Sequence, residues 1–115
     1  MRRGDVVLVD LDPTRGSEAN KQRPAVVVSN DGANAIAQRL GRGFVTVVPV
    51  TSNLTRVHPF QVFLAADRCR LALDSKAQAE QVRSVAIERL GRVVGRLPGD
   101  VITDLDRALR LHLAL

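Results

Sequence analysis

The sequence contains no Trp or Tyr and only three Phe. That scarcity excludes a sheet that reads RNA by stacking bases on aromatic side chains. Any RNA contact would have to rest on phosphate and hydrogen-bonding groups. Cys69 is the single cysteine, so no disulfide can form within the chain. Two His, at 58 and 112, and one Cys are too few for a dedicated zinc site. No stretch approaches the roughly 18 apolar residues of a membrane helix. The opening Met1-Arg-Arg-Gly-Asp-Val6 lacks the apolar core of a signal peptide. A lone Cys without such a signal fits the cytoplasm. Repeats, linkers and low-complexity segments are also missing, so 115 residues are expected to form one domain, 1–115.

Positive charge is what the chain has in excess. The net charge is +5, and all but Lys21 and Lys76 of its 17 basic residues are Arg. The guanidinium is a planar fork suited to phosphate. From Pro98 onward three Asp face two Arg, so residues 1–97 carry +6. A nucleic-acid face is therefore expected on the first 97 residues, which are also strand-rich.

Apolar patterning gives the elements. Asp5–Leu11 reads as a strand apolar on both faces at its centre, as in a small barrel. Pro24–Ser29 is a second strand, and Asn30-Asp31-Gly32 a turn. Ala33–Leu40 is a short helix with Ala33, Ile36, Ala37 and Leu40 on one face, ended by Gly41 and Gly43. Phe44–Val50 is a third strand, in which Pro49 implies an edge or a bulge. Phe60–Ala65, Gln78–Ile87 and Arg92–Leu97 complete the strands, with a basic segment at 67–76 between the first two. Pro98–Leu115 is a long helix, acidic early and basic late, as its dipole favours. Its apolar stripe is too wide for one sheet contact, so part of it is expected to meet another subunit. On that reading Leu105→Asp should weaken a dimer.

The densest chemistry lies in residues 10–24, between the apolar runs Val6–Val9 and Ala25–Val28. Arg15, Ser17, Glu18, Lys21 and Arg23 crowd a stretch that a plain connector would not need to charge. Arg23 precedes Pro24, whose ring pushes its neighbour towards extended backbone. The guanidinium is thus launched from a stiff position at a strand start.

Several segments then occur in a telling order: Gly4-Asp-Val6, Asp10-Leu-Asp-Pro-Thr-Arg-Gly-Ser-Glu18, Arg23-Pro-Ala-Val26, Val48-Pro-Val-Thr-Ser52, Pro59-Phe-Gln-Val62 and Gln78-Ala-Glu-Gln-Val-Arg-Ser-Val85. Together they resemble the MazF/PemK (Kid) toxins of bacterial toxin–antitoxin systems, and the 30–52 stretch resembles the longer actinobacterial-type MazF subgroup. The resemblance runs from Gly4 into the final helix. It implies a mainly β, SH3-like small barrel of the CcdB/PemK kind with a short helix and a C-terminal helix. It implies a homodimer, and a metal-independent endoribonuclease that cuts single-stranded RNA at short sequences without a cofactor. The products would be a 2′,3′-cyclic phosphate and a 5′-hydroxyl. It also implies a cognate antitoxin whose acidic segment blocks the RNA groove.

That chemistry suits the residues. RNA supplies its own nucleophile, the 2′-OH, so the protein must move protons and neutralise charge on phosphate oxygens. By the resemblance, Arg23 is the phosphate-facing cation and Thr51 the hydroxyl donor beside it. Glu18 matches a recurrent family acid, which can accept a proton or orient Arg23. Some Kid-type members carry His where this chain has Ser17, Asp where it has Glu80, and Arg where it has Gln78. The assignment of general acid and base therefore stays open. Ser17, Lys21, Ser52, Gln78, Glu80, Gln81, Arg83 and Ser84 are candidate RNA contacts. His58 and His112 read as structural.

Two other classes compete. A gyrase poison of the CcdB type shares the fold, but those toxins end in Trp-Gly-Ile, whereas this chain ends His112-Leu-Ala-Leu115. A catalytically inactive RNA-binding module on the same barrel is separated only by an activity assay.

Overall fold

A computed structural model describes residues 1–11 and 22–115. Its strands are β1 (Asp5–Asp10), β2 (Gln22–Val27), β3 (Phe44–Thr51), β4 (Gln61–Leu64), β5 (Ser75–Gln78), β6 (Arg83–Ala86) and β7 (Leu90–Arg96). Its helices are α1 (Asp31–Leu40), the single turn α2 (Ala66–Cys69) and α3 (Gly99–Leu113). The strands pair antiparallel in the order β4-β5-β3-β2-β1-β7. β3 is the pivot. One edge pairs with β2, while the other pairs with β6 along Phe44–Val47 and with β5 at Val50–Thr51. A strand shared in this way curls the sheet into the small SH3-like barrel that the resemblance implied.

Strand alternation fills both faces of that sheet. Val6, Val26, Val48 and Val50 point into one apolar layer, closed by Leu64, Leu97, Val101 and Leu105. Val7, Val9, Ala25, Val27, Val45 and Val47 point into the other, closed by Ala37 and Val85. The two-faced apolar reading of the first strand is thus correct. Strands buried on both sides cannot show a polar/apolar alternation.

Three sequence readings are corrected. Pro49 marks neither an edge nor a bulge: it sits where β3 changes partner from β6 to β5. A residue without an N–H is tolerated in that gap in the ladder. Asn30-Asp31-Gly32 is a helix start and not a free turn. The Asn30 carboxamide caps α1 by accepting from the Ala33 N–H at 2.8 Å. On α1, Ile36 and Leu40 face solvent, and Asn34 and Ala37 are buried. Asn34 is accommodated because its amide donates to the Ser29 carbonyl at 2.9 Å. Thirdly, the 67–76 segment contains α2 and the start of β5, and the stretch expected as one strand from Gln78 is broken by a 3-10 turn at Ala79–Gln81.

The long helix was read to within a few residues, but its packing was not. Val101, Leu105 and Ala108 are buried within this chain, while Leu111, Leu113 and Leu115 are exposed. Leu105 is therefore core, and cannot serve as a probe of a dimer. Gly4 lets this helix pack closely, and Arg3 beside it pairs with Asp106 of α3. Gly4 has φ +93, and a Cβ there would lie 2.6 Å from Ile102 of α3. Asp5 accepts from the Arg96 guanidinium at 2.8 Å and from the Arg2 N–H at 2.7 Å.

Candidate RNA-cleavage site

Arg23 stands second in β2, directly opposite Val9 of β1. Alternation puts Arg23 on the side of Ala25 and Val27. At this end the apolar row has run out, and the side chain is exposed. Among the described residues no acid pairs with it. Asp10 forms no ion pair with it.

Arg23 forms a wall between two clefts. The first, about 390 Å³, is lined by Arg23, Thr51, Ser52, Ser75 and Arg92, with Leu8, Leu71 and Leu73 as its apolar side. The second, about 250 Å³, is lined by Arg23, Leu11, Pro49, Gln78, Gln81 and Arg83. Thr51 reaches the first because it is the last residue of β3, where that strand has already passed to β5. The Thr51 hydroxyl oxygen accepts from the Asn53 N–H at 3.2 Å. Its own proton is left to be donated elsewhere.

The turn at Ala79–Gln81 sorts the neighbouring residues. Gln78 and Gln81 line the second cleft with Arg23. Glu80 lines neither cleft, and its carboxylate accepts from the Gln61 amide at 2.7 Å. Ser84 lies on β6 opposite Thr46, likewise outside both clefts. Ser17, Glu18 and Lys21 lie outside the described residues. Of the named candidates, Arg23, Thr51, Ser52, Gln78, Gln81 and Arg83 are thus brought together, and Glu80 and Ser84 are not.

Arg92 is a cleft residue that the sequence reading missed. Its only sequence signal was the unspecific one of an Arg in the basic part. Asp10 is a second. It ends β1 opposite Gln22, and its Oδ1 is buried without a hydrogen-bond partner among the described residues. A larger cavity of about 550 Å³ lies between β4 and α3, lined by Phe63, Arg68, Asp104, Arg107 and Leu111. None of the expected site residues borders it, and size alone does not make chemistry. His58 stacks on Phe60 with ring centroids 5.0 Å apart, consistent with a structural role. Cys69 is buried, which pushes its thiol above the ordinary range, away from a nucleophile's. No group of three or more His, Cys, Asp or Glu able to hold a metal occurs among the described residues.

A family model described as PemK-like, MazF-like toxin of type II toxin-antitoxin system matches residues 2–113. The chain is 64% identical over 115 residues to "Endoribonuclease MazF9" of Mycobacterium tuberculosis, covering all of this chain and 98% of that one. Among solved structures it is similar to MazE-MazF (Form-II) from Deinococcus radiodurans, with a TM-score of 0.79 and 26% identity over all of this chain and 96% of that one. It is also similar in fold, with a TM-score of 0.78 and 22% identity, to an endoribonuclease in complex with its cognate antitoxin from a mycobacterial species, covering 100% of this chain and 96% of that one.

Proposed function

Since the chain belongs to the PemK-like, MazF-like toxins of type II toxin–antitoxin systems and is an endoribonuclease, we propose that it cuts single-stranded RNA at short sequences by transesterification, without a metal. The observation that carries this reading is Arg23, shared by two clefts with Thr51 on one side and Gln81 and Arg83 on the other. In the proposed step the 2′-OH attacks the adjacent phosphorus and the bond to the 5′ oxygen breaks. The products are a 2′,3′-cyclic phosphate and a 5′-hydroxyl. Arg23 meets the charge that grows on the non-bridging oxygens, and the Thr51 hydroxyl donates to one of them. One proton must leave the 2′-OH and one must reach the 5′ oxygen. Glu18 and Asp10 are the carboxylates proposed for that traffic. Gln78, Gln81, Arg83, Ser52 and Arg92 bind the flanking nucleotides.

Arg23 and Thr51 provide the charge and the donor, and the 2′-OH provides the nucleophile, so a divalent ion has no necessary part. Cleavage of a single-stranded RNA pool should proceed at full rate in excess EDTA, with cyclic phosphate ends on the products. Activity lost in EDTA and restored by a divalent metal would overturn the mechanism.

We also propose a homodimer and a cognate acidic antitoxin as its partners. The basic balance of residues 1–97 supports the second, and the exposed Leu111 and Leu113 on α3, with Leu115 just beyond it, support the first. Light scattering at micromolar concentration should give twice the chain mass. Leu111→Asp should shift it towards a monomer that is still folded by circular dichroism, because Leu111 is exposed within the chain. A monomeric wild-type protein would contradict the dimer, and an antitoxin that binds equally well in high salt would contradict an ionic groove.

A further inference from the structure

The segment that leaves Thr51, residues 52–60, joins β3 to β4 and is gripped from outside by two buried polar side chains. Lys76 is 8% exposed, and its ammonium donates to the Arg56 carbonyl at 2.5 Å. Among the described residues no carboxylate pairs with it. Burying an unpaired ammonium is costly, and here its charge is directed at one loop carbonyl. Gln61, also 8% exposed, accepts from the His58 N–H at 3.1 Å, while its amide is anchored on Glu80 at 2.7 Å. Inside the loop, Asn53 accepts from the Thr55 N–H at 3.1 Å. The loop backbone is therefore held at 53, 55, 56 and 58.

The grip is tied to the cleavage site. Lys76 stands directly opposite Thr51 on β5, and its neighbour Ser75 lines the same cleft as Arg23 and Thr51. The Arg56 carbonyl thus lies one lysine side chain away from the strand position facing Thr51. The Arg56 side chain is exposed, and its guanidinium has no ion-pair or hydrogen-bond partner among the described residues. A loop ordered in advance lets its unpaired arginine meet a ligand at a smaller ordering cost.

We propose that Arg56 binds a nucleotide flanking the scissile phosphate, and that Lys76 is the positioning residue that presents it. The inference rests on the ribonuclease reading and adds the residue pair that would set where cleavage falls. Lys76 touches no RNA itself. Through the loop backbone it fixes the one direction from which Arg56 meets the strand. It therefore governs substrate affinity and site choice, and leaves the chemical step to Arg23 and Thr51.

The test measures kcat and KM on a short single-stranded RNA containing a mapped cleavage site, and maps cuts on a longer RNA. Arg56→Ala should raise KM on the order of tenfold and change kcat by less than about twofold. Lys76→Met keeps the aliphatic stem and should give a similar rise with the melting temperature nearly unchanged. The double variant should be no worse than either single one, because both act through the same contact. Lys76→Arg, which keeps a cationic donor, should recover part of the affinity. Multiplicative effects in the double variant, or a loss confined to kcat, would overturn the positioning role. If Lys76→Met does not fold, Arg56→Ala decides alone: an unchanged KM and an unchanged cleavage map overturn the proposal. A wild-type protein that cleaves no RNA would overturn the ribonuclease reading, and this inference with it.

Discussion

Arg23→Ala should give a folded protein that still assembles and is still bound by its antitoxin, yet does not cleave RNA. The side chain is exposed at the start of β2 and contributes nothing to either apolar layer, so its removal costs little stability. What it removes is the cation that borders both clefts. Arg23→Lys is the sharper variant. It keeps the charge but loses the planar fork and the paired donors. If Arg23 stabilises the pentavalent phosphorus, this change alone should slow kcat on the order of a hundredfold. RNA binding should fall far less, because Arg83 and Arg92 line the same clefts and are proposed to share the ground-state contacts. Single-turnover rates at saturating protein would separate the two effects. A folded Arg23→Ala protein cleaving near the wild-type rate would remove Arg23 from the mechanism and leave Thr51, Glu18 and Arg83 to carry it.

The largest effect on stability is expected at Leu105. This residue is 2% exposed and packs into the layer that contains Val6, Val26, Leu64 and Leu97. Leu105→Ala should cost about 2–5 kcal/mol in transfer and cavity terms. Leu105→Asp adds an unpaired buried carboxylate, and a domain of this size holds only about 5–15 kcal/mol in total. The Asp variant should therefore be unfolded at room temperature by circular dichroism, and toxicity and dimer would vanish together. Leu111→Asp, six residues further along α3, should stay folded, because Leu111 is exposed within the chain. Equal melting temperatures for Leu105→Asp and wild type would mean that α3 does not close the core.

Legibility followed the physical range of each signal. Strand β1, the end of α1 at Gly41 and the length of α3 were readable because apolar runs, a left-handed glycine and dipole-matched charges act locally. The fold class came from the ordered family segments, and the two-faced apolar centre of β1 agreed with it. Burial on α3 was misassigned, since a wide apolar stripe does not say which part meets its own sheet and which meets solvent. Gln78, Gln81 and Glu80 are neighbours in sequence, but a 3-10 turn sends Glu80 to Gln61 and the two glutamines towards Arg23. No periodicity announces such a turn.

Residue order along short stretches was enough to mark the family, the apolar run of β1, the basic character of the first 97 residues and Arg23 before Pro24 as a candidate. All of these are written in residue type and order along short stretches. Only the tertiary structure decided that Arg23 meets Thr51 on one side and Gln81 on the other, that Arg92 joins them, and that Lys76 grips the loop carrying Arg56. Those contacts join strands far apart in the chain. They depend on β3 changing partners at Pro49, where the curl of the sheet, rather than any local preference, selects the neighbour.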